Sequence, residues 1–525
     1  MPAGLTGELK DFVEQLLAII ARQALEIQEL RDEVAVLKGH KPRPKFKGSN
    51  LVKTIDKRDD DEPPAGGLRP GSKKRSMTAE LPIHEERVIA PTEPVPTGSV
   101  FKGYRTFVVR DLKVQAHNIS IKREVWLTPD GRWLVGERPA ELAGQHFGPT
   151  LRAFVLYQHH HCHVTQPLLR ELLREWDVEL SAGQLDALLA QGADAFTAES
   201  TAVLVAGLKA SPAVTVDDTG VRHAGANGYA TNVSGPCFAW FRSTPSKSRS
   251  SFIELLHAGA VDYRINDRAI RYMAEHGLPP SHILALRQGR RGGGPLREQL
   301  EAFLTLSGIV SQEHRVTALE GALWGGLQDK VHPELAVVSD GAGQFDVGSA
   351  HGMCWVHAER LVHKLVPVGE AQRLAQARVR DEVWALYAGL RAYRADPVPA
   401  EALRLDAQFE ALFTQKTAFV ALNEQLARLH AHKGELLLVL RRPEVPLHTN
   451  QSETDIRDYV KKRKVSGGTR SELGRQCRDT HATLKKTCRK LGVSFWQYLL
   501  DRLNGLGAVA PLADLVAVRT AELYA

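Results

Sequence analysis

Three carboxylates in three kinds of neighbourhood are the residues of this chain best placed to do chemistry. Asp217 ends the apolar run Ala213-Val-Thr-Val-Asp, and Asp340 ends Leu335-Ala-Val-Val-Ser-Asp. Both runs read as short β-strands with an acid at the C-terminal end. Glu453 lies in Thr449-Asn-Gln-Ser-Glu-Thr-Asp, ahead of a strongly basic segment, and reads as the first turn of a helix. The acids are 123 and 113 residues apart, so only tertiary folding brings them together. Hard divalent cations prefer carboxylate oxygen and keep some of their waters. Two such ions, about 3.5–4 Å apart, activate an attacking oxygen and steady a leaving one. Converging beside a phosphate backbone, the three acids would form a metal-dependent phosphoryl-transfer site acting on nucleic acid.

Each acid also has an ordinary explanation. Asp217 or Asp218 suits a strand-end turn, and Asp340-Gly341 is a common turn pair. Asn450-Gln-Ser-Glu453 matches a capping box, with Asn450 at the N-cap and Glu453 reaching back to the backbone. Only the combination carries the functional reading. Arg457 and Lys461 follow Glu453 by four and eight residues on one helical face, where they bind phosphate or pair with the acid. Between Arg457 and Lys490 stand twelve Lys/Arg against three Asp/Glu, an excess larger than the +7 of the whole chain. That is the footprint of a phosphate-backbone binder, with Arg457, Lys461, Lys462, Arg463, Lys464 and Arg470 as its candidate contacts. A solvated helix face is the alternative.

Two histidine groups invite a metal reading and do not sustain it. A structural zinc site wants paired ligands from two separated stretches. His159-His-His-Cys-His163 has no Cys-x-x-Cys partner anywhere in the chain, and Cys354-x-x-His357 lacks a second pair. Packing or support of the acids is the expectation for His357.

The elements that must position these residues follow from periodicity and composition. Leu9, Val13, Leu16, Ile20, Gln23, Ile27, Leu30, Val34 and Leu37 form a heptad, so residues 1–39 are expected to be a coiled coil that makes the protein a homo-oligomer. Residues 40–100 hold nine of the 27 prolines and read as a basic, proline-rich linker. Residues 101–150 show β-like pieces at Val108-Val-Arg, Glu124-Val-Trp-Leu and Arg132-Trp-Leu-Val and suggest a small β-rich domain. Residues 151–210 are helical and admit a helix-turn-helix, with Ser181 as an N-cap. A catalytic α/β domain over 211–490 would carry a hairpin through Gly225-Ala-Asn-Gly and helical insertions at about 262–332 and 366–443, leaving 491–525 as a helical tail. The loop Arg290-Arg-Gly-Gly-Gly lacks the Lys-Ser/Thr of a phosphate-binding loop.

Five scattered cysteines speak against a disulfide framework and for a reducing compartment. No run of 18 apolar residues occurs, and the acids near the N-terminus are unlike a signal peptide. A cytoplasmic protein without a membrane partner is expected.

Around the three acids the chain resembles the DDE transposases of bacterial insertion sequences, specifically the insertion sequence 66 family. Asp217-Asp-Thr-Gly-Val-Arg is similar to that family's Asp-Glu-Thr motif. Ser339-Asp-Gly, followed by Cys354-Trp-Val-His-Ala-Glu, resembles its second-aspartate strand and Cys-x-x-His helix. Asn450-Gln-Ser-Glu453 with Lys464-Val-Ser-Gly-Gly-Thr-Arg-Ser resembles its final block. The resemblance implies a ribonuclease H-like fold with Asp217, Asp340 and Glu453 as catalytic metal ligands. It also implies strand cleavage by water and attack of the freed 3′-hydroxyl on target DNA. Two Mg²⁺ ions suit the site, and Mn²⁺ fits the same oxygens. One departure stands out: many members carry a cysteine-paired zinc finger after the zipper, and residues 100–150 contain no cysteine. A catalytically silent or domesticated DNA-binding protein and a ribonuclease H-like nuclease or resolvase are the competing readings.

Overall fold

A computed structural model describes residues 82–106, 108–137, 146–288, 296–347 and 350–524. The heptad and the linker as far as residue 81 lie outside the described residues. The chain divides into two units, 1–114 and 115–525. In the first, the described residues are exposed and form no helix or strand. The strand anticipated at Val108-Val-Arg does not form. Val109 is exposed there.

The second unit opens with an antiparallel hairpin, β1 (Val125–Leu127) and β2 (Trp133–Val135), turning through Gly131 at φ +83°. All six strand residues are exposed, so this hairpin buries no core of its own. Four helices follow: α1 (Pro149–Leu156), α2 (Gln166–Arg174), α3 (Ala182–Ala190) and α4 (Ala193–Ala210). Ser181 caps α3 as expected, in a reciprocal capping box with Gln184. The pair α2–α3 departs from a DNA-reading helix-turn-helix, which uses a turn of about three or four residues. Residues 175–181 separate the two helices, and α3 contains no Lys or Arg to meet phosphate.

A five-stranded mixed sheet forms the centre. Its strands are β3 (Ala213–His223), β4 (Ala226–Ser234), β5 (Ala239–Thr244), β6 (Ala336–Ser339) and β7 (His351–Met353), in the order β5-β4-β3-β6-β7. β3, β4 and β5 are antiparallel neighbours, whereas β6 runs parallel to β3, and β7 to β6. The buried starts of β3 and β6 are apolar because elements cover both faces of a parallel pair. Between β5 and β6 lie α5 (Arg249–Leu256), α6 (Asp267–Glu275), α7 (Pro280–Gln288), α8 (Arg297–Leu306) and α9 (Gln312–Gly326). Their Phe252, Ile270, Leu300 and Leu323 join the core that reaches the sheet through Val214, Val233 and Trp240.

After β7 comes α10 (Trp355–His363). A layer of α11 (Glu370–Ala395), α12 (Pro399–Thr414), α13 (Val420–Ala431), α14 (Lys433–Leu436) and α15 (Leu438–Arg441) follows. This layer packs a second core around Trp355, Leu386, Phe409 and Leu426. The chain then returns to the sheet as α16 (Asn450–Ser466) and α17 (Glu472–Lys490), and ends in α18 (Phe495–Asn504) and α19 (Leu512–Tyr524).

One contact fixes how α17 lies. β5 is an edge strand, and a bare edge invites pairing with other chains. The backbone N–H groups of Ala239, Phe241 and Ser243 donate instead to Thr487 Oγ1, Thr483 Oγ1 and Asp479 Oδ2. Successive acceptors four residues apart on a helix match alternate residues of the strand, so α17 closes the edge with side chains. Among the described residues, no helix is long and apolar enough to cross a membrane.

Candidate functional site

Asp217 stands inside β3 rather than at its end. The parallel partner β6 stops pairing at Thr215–Val338, but β4 continues to pair β3 as far as His223. The expected strand end is therefore where one neighbour stops. Asp217 Oδ1 accepts from the Asp218 N–H at 2.8 Å. Burial, with the fields of Asp340, Asp218 and Glu453 adding to it, raises the Asp217 carboxyl from 3.8 to about 6.

Asp340 follows β6 directly, as expected. Gly341 at φ +93° turns the chain, and Asp340 Oδ1 accepts from Ala342 N at 3.0 Å. Ser339, fully buried, holds the strand end through Gly341 N at 3.0 Å and His351 Nε2 at 2.8 Å.

Glu453 occupies the first turn of α16, but the capping box is not formed. Thr449, not Asn450, is the N-cap, and no side chain caps the helix. The Thr449 N–H donates to Cys354 Sγ at 3.4 Å and its carbonyl accepts from Glu453 N at 3.0 Å. This tertiary contact starts the helix one residue earlier and leaves Asn450 exposed as its first residue. The Glu453 carboxylate turns away from the helix start, with Oε2 on Arg457 at 2.9 Å and Oε1 3.5 Å from His357 Nε2. Oε1 is buried and has no hydrogen-bond donor among the described residues.

Cys354 and His357 tie the last two acids together. Cys354 N donates to Ser339 O at 2.9 Å, next to Asp340, while its thiol reaches the start of α16. Hydrogen bonding to Cys354 raises His357 above its usual value. Burial pushes the Cys354 thiol up, but bonds from His357 and Thr449 outweigh it and bring the thiol below its usual value.

Three carboxylates from β3, the end of β6 and α16 thus share one electrostatic neighbourhood. Among the described residues no three His, Cys, Asp or Glu are already close enough to cage a metal ion. The donor set nonetheless fits a hard cation. In each aspartate one oxygen is held by a backbone N–H, and in Glu453 one is held by Arg457 and the other is without a donor. Mg²⁺ suits such a set, since it takes one or two carboxylates and completes its shell with waters and substrate phosphates. Gln344, which donates to Asp218 Oδ2 at 2.8 Å, also belongs to this region. Nothing in its sequence context marks it.

The basic segment divides in two. Lys462 is buried and donates to the His159 carbonyl at 2.6 Å, so it has no face for DNA. Burial first, then Arg478 and Lys485, bring its pKa down to about 7. Lys485 and Lys490 are likewise enclosed, pairing with Asp458 at 2.7 Å and Asp455 at 2.9 Å. Arg463 reaches Thr219 on β3 at 3.2 Å. Lys461, Lys464 and Arg470 remain exposed.

The same lysines account for the histidine run. Tyr157–His161 is a π-helical turn, and the carbonyls of His159 and His160 accept from Lys462 and Lys485. His160 stacks on His481 with ring centroids 4.0 Å apart. Burial holds His160 well below its usual value and His481 at about 4, so both are neutral packing groups at neutral pH.

The turn after α16 is bonded to the tip of the β3–β4 hairpin. That tip lies at Ala224-Gly225, with φ +48° and +81°, at the start of the expected Gly225-Ala-Asn-Gly stretch, whose Asn227 and Gly228 already pair within β4. Thr469 N donates to Arg222 O at 3.0 Å and Ala224 N to Thr469 O at 2.8 Å. A Cβ on Gly468 would meet Arg222 O at 2.4 Å. Gly468→Ala should therefore cost about 2–4 kcal/mol in urea unfolding and loosen hydrogen-exchange protection at the hairpin tip. A loss below about 0.5 kcal/mol would contradict the close approach.

Comparison with known proteins agrees with these blocks. Residues 336–477, which span β6 to the first turns of α17 and hold Asp340 and Glu453, match the family described as Transposase IS66 family. An uncharacterized protein, y4jO, of Sinorhizobium fredii is 43% identical over 322 residues, covering 60% of this chain and the whole of that protein. The chain belongs to the IS66 family of transposases.

Proposed function

We propose that the chain is a DDE-type DNA transposase with a ribonuclease H-like core. Asp217, Asp340 and Glu453 would hold two Mg²⁺ ions, or Mn²⁺ in their place. The observation that carries this reading is that Cys354 joins the end of β6 beside Asp340 to the start of α16 beside Glu453, and that Asp340, Asp218 and Glu453 add to burial in opposing the ionisation of Asp217. The sheet order β5-β4-β3-β6-β7, with only β4 antiparallel to its neighbours, supports the core assignment.

When bound, the ions supply an activated oxygen nucleophile and stabilise the leaving oxygen during strand cleavage and then strand transfer of the 3′-hydroxyl to target DNA. The chain's own residues set the geometry. β3 and β6 present Asp217 and Asp340 from neighbouring strands, and Cys354 links the end of β6 to the start of α16. His357 and Arg457 flank the Glu453 carboxylate and limit its rotation. Element-end binding and oligomerisation through residues 1–39 complete the proposal.

Asp340→Asn should lower cleavage and joining of the element's own ends by about 10³-fold, equivalent to roughly 4 kcal/mol of lost stabilisation. DNA affinity measured without divalent ion should stay unchanged. A variant that keeps its activity would sink the metal-triad reading.

A further inference from the structure

The exposed face of α16 leads away from Glu453 toward the hairpin tip. Asn450, Thr454, Arg457, Lys461 and Lys464 recur at three- and four-residue spacing and are all exposed. From Glu453 to Lys464 the helix rises roughly 16 Å. Beyond its end, Gly467 and Gly468 turn the chain so that Thr469 forms a backbone bridge with His223. Arg470 follows that bridge directly, and Arg222 precedes it on β3. His223 Nδ1 and Thr469 Oγ1, 2.9 Å apart, lock the two segments together.

The charges on this track are available. Arg457 is spent on Glu453. The side chains of Lys461, Lys464, Arg470 and Arg222 are exposed and have no hydrogen bond or ion pair among the described residues. The neighbouring acid, Glu472, is held by Arg475 at 2.6 Å and lies 3.7 Å from His223. Four cations without partners among the described residues, on a helix, the turn after it and the hairpin tip bonded to that turn, thus lead from Glu453 to Arg222.

We propose that Arg222 at the hairpin tip completes a cationic track with Arg470, Lys464 and Lys461 that seats the phosphodiester backbone of double-stranded DNA. This rests on the DNA-transposase reading, and it adds a second element, the β3–β4 hairpin, to the DNA-contacting surface. The contact is to backbone phosphate, so it positions the duplex without reading its sequence.

Fluorescence anisotropy of the full chain with a labelled duplex, without divalent ion and from about 50 to 200 mM salt, tests this directly. Each lost phosphate contact should reduce the slope of log Kobs against log salt by about 0.9, so Arg222→Gln and Arg470→Gln should each do so. The variant neutralised at all four positions should lose about 3–4 units of slope. Arg404→Gln, on α12 and paired with Glu401, is the control and should leave the slope unchanged. Glutamine keeps a polar, hydrogen-bonding side chain without the charge, and unchanged melting temperatures exclude misfolding. If Arg222→Gln and Arg470→Gln keep the wild-type slope, the track is wrong while the transposase reading stands. If the wild-type chain binds no duplex even at low salt, both fall.

Discussion

Asp217→Asn should abolish strand transfer and yet raise the melting temperature of the metal-free protein at pH 8 by ~1 °C. The Asp217 carboxyl is raised from 3.8 to about 6 in the folded protein, by burial first and by Asp340, Asp218 and Glu453 in addition. The folded state therefore binds this proton more tightly than the unfolded chain does. Below about pH 4 the group is protonated in both states and neither helps nor harms. Stability is lost as pH rises from about 4 to 6, and the full loss persists above that window. After allowance for solvent screening at a half-buried group, the loss is about 1 kcal/mol. Asparagine removes the charge, so its gain should be present at pH 8 and vanish near pH 4. Millimolar Mg²⁺ should stabilise the wild type by binding the native state and leave the variant nearly unmoved. Differential scanning at the two pH values, with and without Mg²⁺, checks all three statements. An asparagine variant less stable at pH 8, or one that gains as much from Mg²⁺ as the wild type, would overturn the converging-carboxylate site.

What could be read in advance followed the range of the interaction. Asp340 was legible because β6 is buried on both faces and so appears as an unbroken apolar run ending in Ser-Asp-Gly. Ser181 was legible because a capping box is written in four consecutive residues. Elsewhere, tertiary contacts overrode local patterns. Asn450 loses the N-cap to Thr449 because Cys354, distant in sequence, takes the Thr449 N–H. Asn227-Gly228 is a stronger turn signal than Ala224-Gly225, yet the hairpin turns at the latter, where Thr469 bonds the backbone on both sides.

The basic segment shows the same limit for charge. A count of lysines cannot tell an exposed cation from one enclosed by a partner on another helix. Asp455 and Asp458 stand three residues apart on α16, and each meets a lysine of α17. Removing one member of such a pair strands the other, so these positions report on folding rather than on DNA affinity. The exposed Lys461, Lys464 and Arg470 report the opposite.

Asp479→Ala should cost about 3–4 kcal/mol, among the largest stability losses expected of the changes discussed. Asp479 is buried and accepts from Ser243 N at 2.7 Å, Ser243 Oγ at 3.0 Å and Tyr459 OH at 2.6 Å. Burial raises its carboxyl, against the opposing effect of those hydrogen bonds. Alanine leaves the Ser243 N–H and one hydroxyl without an acceptor; the two hydroxyls, 3.1 Å apart, still satisfy each other in part. Each buried donor left unpaired costs about 1–3 kcal/mol. The change also opens one end of the β5 edge that α17 closes, so aggregation during unfolding should increase. Asp479→Asn keeps an oxygen for Ser243 N and carries no charge, so its loss should be about 1–2 kcal/mol and should shrink as pH rises. That pH trend follows because the raised Asp479 carboxyl weakens the wild type once it ionises, whereas the amide does not titrate. Thr483→Val removes the neighbouring acceptor, that of Phe241, and should cost about 1 kcal/mol. Urea unfolding of the three variants at two pH values separates these effects. An alanine variant within about 1 kcal/mol of wild type would mean that α17 merely lies beside β5 instead of closing its edge.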